Sequence, residues 1–202
     1  MLYLIILLLV LETLVVAFLI LSFISNIISS AYGVPYVPMS RRIVKDLLFF
    51  GGLNSEDTFY DLGCGDGRVL MSAVKDFGVR KAIGYEISPW PYLKSKILIR
   101  LGGLHPVKSS KAGAKQFDVV NGRIQTSRRS LFDADLSDAT FIYGYLFPKI
   151  VDRLATKIAK ECGPGVKILL PSFPINLAKH PEFKLLKSQK FAKITAYLYE
   201  KI

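Results

Sequence analysis

The chain has 202 residues, 27 Lys and Arg against 16 Asp and Glu, and only two cysteines and two histidines. That length suits one domain with an appendage. The distant pair Cys64 and Cys162 excludes a disulfide framework, is read as free thiols of a reducing compartment, and with His105 and His180 leaves no basis for a metal site. Charge is unevenly placed: residues 1–29 carry only Glu12, so the 27 basic and 15 remaining acidic residues leave the rest of the chain at +12.

Met1 to Ile28 is nearly continuous Leu, Ile, Val and Phe. At about 1.5 Å per residue it can cross a hydrocarbon core of about 30 Å. A cleaved signal peptide is the main rival, but there is no basic n-region, the apolar run is too long and no clear A-x-A site follows. A soluble core helix is rarely apolar all round over such a length. We therefore expect a single transmembrane anchor over residues 1–29. Glu12 is its exception, since a carboxylate near mid-membrane costs a few kcal/mol; protonation, a partner helix or a span beginning later would each accommodate it. Arg41, Arg42 and Lys45 follow the span, which places the C-terminal domain on the cytoplasmic side by the positive-inside rule.

Residues 30–50 read as a linker and a helix. Gly33, Pro35 and Pro38 break the first helix, and Ser40 caps a new one over Arg41 to Phe50. A stiff linker and a lid over an active-site mouth both fit this segment. Residues 51–202 form the main domain. Thr58 to Leu62 reads as a buried strand running into Gly63-Cys64-Gly65-Asp66-Gly67, which opens a helix at Val69. Three glycines at alternate positions let the backbone turn tightly and approach a ligand. A second strand, Lys81 to Ile87, carries an acid, Glu86, near its end. Strand, glycine turn, helix and acid-tipped strand together hold a ribose-bearing cofactor.

A dinucleotide site has G-x-G-x-x-G, whereas here G-x-G-x-G follows Asp61. This pattern resembles motif I of class I S-adenosylmethionine (SAM) methyltransferases. A helix N-terminus suits the carboxylate of SAM, and Asp61 suits its ammonium. A ligand-free glycine turn is the bland alternative, and the pairing of Asp61 with a well-spaced Glu86 weighs against it.

Ser88-Pro89-Trp90 follows, with Ser88 as the expected cap of a helix to about Leu101. Trp90 is either core filler or a wall of the adenine pocket. Leu101 to Gln116 reads as an exposed loop. Further strands are expected at Phe117 to Gln125, Thr140 to Leu146 and Val166 to Leu170, with a helix from Pro148 to Cys162 and a hairpin over Phe183 to Phe191 and Lys193 to Lys201.

Val34-Pro-Tyr-Val-Pro38, Asp61-Leu-Gly-Cys-Gly-Asp-Gly-Arg68 and Gly84-Tyr-Glu-Ile-Ser-Pro-Trp90 stand in one order and near one spacing. In this the chain resembles the membrane-anchored lysine methyltransferases that modify the adenine nucleotide translocase and the ATP synthase c-subunit. The resemblance implies an α/β, doubly wound, mostly parallel seven-stranded class I methyltransferase (Rossmann-like) sheet behind the transmembrane helix. It implies SAM as cofactor, held by Asp61, Gly63, Cys64, Gly65, Asp66 and Gly67, by Glu86 and Ile87, and by Ser130 and Leu131. Many relatives carry an acid for the adenine amino group where this chain has Ser130.

Methyl transfer from a sulfonium is an in-line displacement, so alignment matters more than acid–base machinery. A lysine acceptor must lose a proton from a group of ordinary pKa about 10.4, which a dry aromatic channel assists. Tyr36, Tyr143, Tyr145 and Phe173 are the candidate channel wall, and no residue is assigned as general base. The expected function is a membrane-anchored protein-lysine N-methyltransferase acting on a membrane or membrane-proximal protein, with the lipid bilayer as a partner. A lipid head group or other small acceptor is the alternative substrate class, and a non-enzymatic membrane module with a vestigial cofactor fold is another. Nucleic acid is not expected as a partner, because an anionic bilayer accounts for the +12 charge and no N-P-P-[YF] tetrad follows the fourth strand.

Overall fold

The computed structural model describes residues 1–31, 37–102, 118–120 and 123–202. Tyr36 and the expected loop from residue 103 to Gln116, with Phe117, lie outside them. The first helix, α1 (Leu2–Ala31), is followed by α2 (Arg41–Gly51). Ser40 caps α2 by accepting from Ile43 N–H at 3.3 Å. Then come β1 (Thr58–Leu62), α3 (Arg68–Phe77), β2 (Lys81–Tyr85) and α4 (Pro89–Leu101). The remainder is β3 (Asp118–Val120), β4 (Ile124–Ser127), β5 (Phe141–Tyr143), α5 (Pro148–Glu161), β6 (Lys167–Pro171), β7 (Phe183–Phe191) and β8 (Ile194–Lys201).

The sheet order is β3-β4-β2-β1-β5-β6-β8-β7. Strands β4, β2, β1, β5 and β6 are mutually parallel, and β8 and β7 close one edge as an antiparallel hairpin. These are the seven strands expected of the fold. The eighth, β3, is an addition that pairs antiparallel with β4 at the other edge. The single third strand expected over Phe117 to Gln125 is therefore two strands. The sequence Asn121-Gly122-Arg123 stands between them, and its Asn-Gly pair is the turn signal for that division.

Side chains alternate across the sheet as the strand period requires. Phe59, Ala82, Phe141 and Leu169 face a core completed by α2, α3 and Ile99 of α4. Tyr60, Ile83, Ile142 and Ile168 face a second core completed by α5. Strand order reverses between β1 and β5, and there the carboxyl ends of β1, β2 and β5 leave a crevice, the general position for ligands in such sheets.

Strand ends depart slightly from expectation, for local reasons. β2 stops at Tyr85 because its carbonyl accepts from both Gly63 N–H and Cys64 N–H at 2.9 Å, so Glu86 stands just beyond the sheet. β5 stops at Tyr143, whose register partner Asp61 is the last residue of β1 to pair with it. Ser88 holds the N-cap position of α4, but its side chain does not cap the helix; it bonds to Glu86 instead.

Gly84 shows how closely α3 and its turn press on the sheet. A Cβ there would lie 2.5 Å from Leu70 Cδ1 and 2.8 Å from Cys64 Sγ, both buried. Leu70 is fully buried on α3 and Cys64 sits in the glycine turn, so a retreat by either disturbs close packing. Gly84→Ala is expected to destabilise the domain by about 1–3 kcal/mol through overpacking. The check is a lower denaturation midpoint at unchanged slope; an unchanged midpoint would refute this packing.

Candidate active site

The turn between β1 and α3 has φ of 98° at Gly63, 54° at Gly65 and 76° at Gly67, values that L side chains seldom adopt. It curls over the carboxyl end of the sheet and is tied there by Glu86. Oε2 of Glu86 accepts from Gly65 N–H at 2.9 Å and Oε1 from Ser88 N–H at 2.7 Å. The Ser88 hydroxyl and the Ile87 N–H also bond to this carboxylate, so Glu86 is held in place from both sides of the crevice. Burial raises the Glu86 pKa above the ordinary carboxylate range, against the lowering effect of these backbone bonds.

Two lobes of one crevice meet at Gly63 and Glu86. The first, about 530 Å³, is lined by Asp61, Cys64, Gly65, Asp66, Tyr143 and Tyr145, with Val37, Pro38 and Met39 across its mouth. The second, about 420 Å³, is lined by Tyr85, Ile87, Arg129, Ser130, Leu131 and Phe132. An elongated ligand with a polar head, a middle at Glu86 and a flat apolar end matches this outline. Ser130 lies at the flat end, where its hydroxyl accepts from Phe132 N–H at 3.3 Å and caps a single 3₁₀ turn, Leu131–Asp133.

Asp61 is the chemical centre of the first lobe. It is 1% exposed, and its Oδ2 has no hydrogen-bond partner among the described residues. An unmet buried carboxylate oxygen is costly. Burial, and then the charges of Glu86 and Asp66, push its pKa well above the ordinary aspartate value. A cationic ligand group at Oδ2 would relieve both the missing bond and the like-charge strain. The methionine end of SAM carries such a cation, so these residues fit that cofactor. Cys64 is no rival centre, because burial beside the same acids pushes its thiol well above its usual pKa.

Asp66, which lines the first lobe, is also tied to its neighbours. Its carboxylate takes a two-point bond from Arg68, Nε to Oδ1 at 2.8 Å and Nη2 to Oδ2 at 2.6 Å, and lies 3.4 Å from Lys94 Nζ. Arg68 Nη1 donates in turn to the carbonyl of Met39. Asp66 thus fixes the strip of chain at the mouth of the lobe. Arg68 and Met39 were not singled out in the sequence, since nothing in their spacing shows that they touch.

Of the channel candidates, Tyr143 and Tyr145 line the first lobe. Tyr143 is 2% exposed, its hydroxyl is 4.0 Å from Met39 Sδ, and burial near Asp61 holds it as a neutral phenol. Phe173 lines neither lobe; it stacks on Phe147 with centroids 5.7 Å apart. Gly67 also lines neither lobe. It lets α3 close on α4, where a Cβ would meet Ile99 Cδ1 at 3.1 Å. Trp90 is neither core nor adenine wall. Its ring packs edge-on against Phe18 of α1 at 5.0 Å, because α1 lies against the start of α4. The strip Val37 to Met39 is part of the lining of the first lobe.

Comparison with known proteins agrees with this geometry. The chain is 31% identical over 166 residues to a protein-lysine N-methyltransferase of Saccharolobus islandicus (strain REY15A), spanning 82% of this chain and 92% of that protein. It is 30% identical over 143 residues to the adenine nucleotide translocase lysine N-methyltransferase of Mus musculus, covering 70% of this chain and 54% of the mouse protein. The chain thus spans about half the length of that mammalian relative. Among solved structures, an RNA methyltransferase from Salinibacter ruber in complex with S-adenosyl-L-homocysteine superposes with a TM-score of 0.67 at 23% identity, over 82% of this chain and 94% of that one, a likeness of fold. Residues 61–182, from Asp61 near the end of β1 past the end of β6, match the ANTKMT methyltransferase domain. The chain belongs to that family and is a SAM-dependent methyltransferase.

Proposed function

We propose that the chain is a membrane-tethered protein-lysine N-methyltransferase whose acceptor is a lysine of a membrane or membrane-proximal protein. The observation that carries the cofactor half of this reading is the unpartnered Oδ2 of buried Asp61. The acceptor half is supported by the names of the two relatives. The tether is supported by α1, in which Leu2–Ser25 is long and apolar enough to span a membrane and exposes its side chains.

In this reading Asp61 takes the ammonium of SAM, and Glu86 the ribose hydroxyls. The backbone of Gly63, Cys64 and Gly65 cradles the methionine end, and Ile87, Ser130 and Leu131 flank the adenine. When bound, the cofactor supplies the electrophilic methyl group. The chain itself holds the acceptor. Tyr143, Tyr145 and the strip at Met39 form a dry wall on which a lysine amine is favoured over its ammonium, and they align it with the reacting carbon. No lining residue is assigned as general base, and the ammonium sheds its proton as it leaves water for the dry wall. The basic residues Arg41, Arg42 and Lys45, just after α1, put the domain on the cytoplasmic side.

The test is to incubate the full chain with membranes and tritiated methyl donor, then separate protein from lipid. Label in protein, mapped by mass spectrometry to a lysine, is the expected outcome. Label confined to the organic extract would replace lysine by a lipid acceptor.

A further inference from the structure

One face of α4 is apolar and uncovered. Trp90, Leu93, Ile97 and Leu101 follow helical spacing on one side, and the last three are 42%, 47% and 79% exposed. At its first turn this face meets α1: Trp90 N–H donates to Ser25 Oγ at 2.8 Å, and the Trp90 ring packs on Phe18. Phe18 precedes Ser25, the end of the apolar span, by two helical turns, about 10 Å along the axis. A helix held against that part of a spanning segment cannot stand clear of the lipid. Tryptophan at this depth suits the membrane–water boundary.

At its other end the same face runs into a basic cleft of about 1190 Å³ between α2, α3 and α4. Leu98 and Leu101 form its apolar edge, and Arg41, Arg42, Lys45 and Lys75 its basic walls, with Asp76 as the acid among them. Lys45 reaches Asp76 at 3.4 Å and Lys75 donates to the Gly102 carbonyl at 2.6 Å. Arg41 and Arg42 make no ion pair among the described residues. Apolar stripe and basic cleft form one continuous surface, joined to α1 at one end and carrying the complement of anionic headgroups at the other.

We propose that this surface seats the domain on an anionic phospholipid bilayer, with the α4 stripe in the interface and lipid phosphates in the cleft. The proposal rests on the reading of α1 as a membrane span and deepens it. Arg41 directly follows Val37 to Ser40, the strip that borders the acceptor lobe, so seating brings the mouth of the active site to headgroup level. The acceptor it then favours is a lysine at the lipid–water boundary of a membrane protein.

Trp90 is the single tryptophan, so it reports its own depth. The full chain is placed in nanodiscs whose lipids are brominated near the headgroup end of the acyl chains. Loss of most Trp90 emission and protection from acrylamide are expected. Leu101→Cys, labelled with a polarity-sensitive dye, is expected to blue-shift in discs containing anionic lipid. That shift should shrink to its neutral-lipid value when Arg41→Gln and Arg42→Gln are combined. Emission as in water at both positions, in a chain that still floats with carbonate-washed membranes, overturns the seat and leaves the span standing. Release of the chain by carbonate overturns both. An equal dye shift in neutral and anionic discs removes the headgroup site.

Discussion

Asp61→Asn is expected to weaken SAM binding about 10- to 100-fold, the loss of a hydrogen bond to a charged group worth about 1.5–3 kcal/mol. The reasoning starts from Oδ2, which is buried and unpartnered before the cofactor arrives. An amide is nearly the same shape, so the lobe and the glycine turn survive while the negative charge disappears. Two pH effects accompany it. Because burial and the charges of Glu86 and Asp66 raise the Asp61 pKa in the folded chain, affinity for the cationic methionine end should climb as pH rises through that raised value and level off above it. Folding behaves in the opposite sense. An acid whose pKa is higher folded than unfolded contributes stability that is fully present below the unfolded value and is lost as pH rises through the folded one. Asp61→Asn removes that loss, so the variant should melt higher than the parent near neutral pH while binding cofactor more weakly. Titration calorimetry and thermal melts across pH test both. A variant with parental affinity, or one that melts lower at every pH, would mean that Asp61 serves the fold rather than the cofactor.

The second large effect concerns the tether. Removing residues 1–29 is expected to lower kcat/KM on an acceptor embedded in proteoliposomes by about 10²- to 10⁴-fold, the gain that confinement gives a second encounter. Methylation of a soluble peptide bearing the same lysine should be unchanged. Deletion also strips Phe18 and Ser25 from Trp90, so a control is required. Replacing residues 1–17 with an unrelated apolar helix, while keeping Phe18 to Ser25, should restore the rate on proteoliposomes. Failure of that chimera to restore it, or equal rates with and without the span, would sink the tethering account.

The elements read correctly from the sequence are those whose cause is local. The unit from Thr58 to Phe77 announces itself through a short apolar run, glycines at alternate positions and a helical stripe. Ser40 marks the start of α2 by its own capping chemistry. The pairing of β1 with β2 follows from chain order in such folds. The third strand was misread because one continuous run with mild alternation describes one strand or two equally well, and only Asn121-Gly122 distinguished them. The stacking of Phe173 on Phe147 is likewise invisible in their spacing.

By itself the sequence determined the class of fold and the place of the glycine turn, and it singled out Asp61 and Glu86 beside that turn. Each belongs to one strand–turn–helix–strand unit, Thr58 to Glu86, whose parts follow one another along the chain and pack side by side. The tertiary structure alone decided that Asp61 keeps an unmet oxygen while Asp66 spends its charge on Arg68, for two acids five residues apart are alike until their neighbours are known. It alone joined Arg68 to Met39 and Trp90 to Phe18. Those contacts arise because packing brings together segments far apart in the chain, and no period or motif records where they meet.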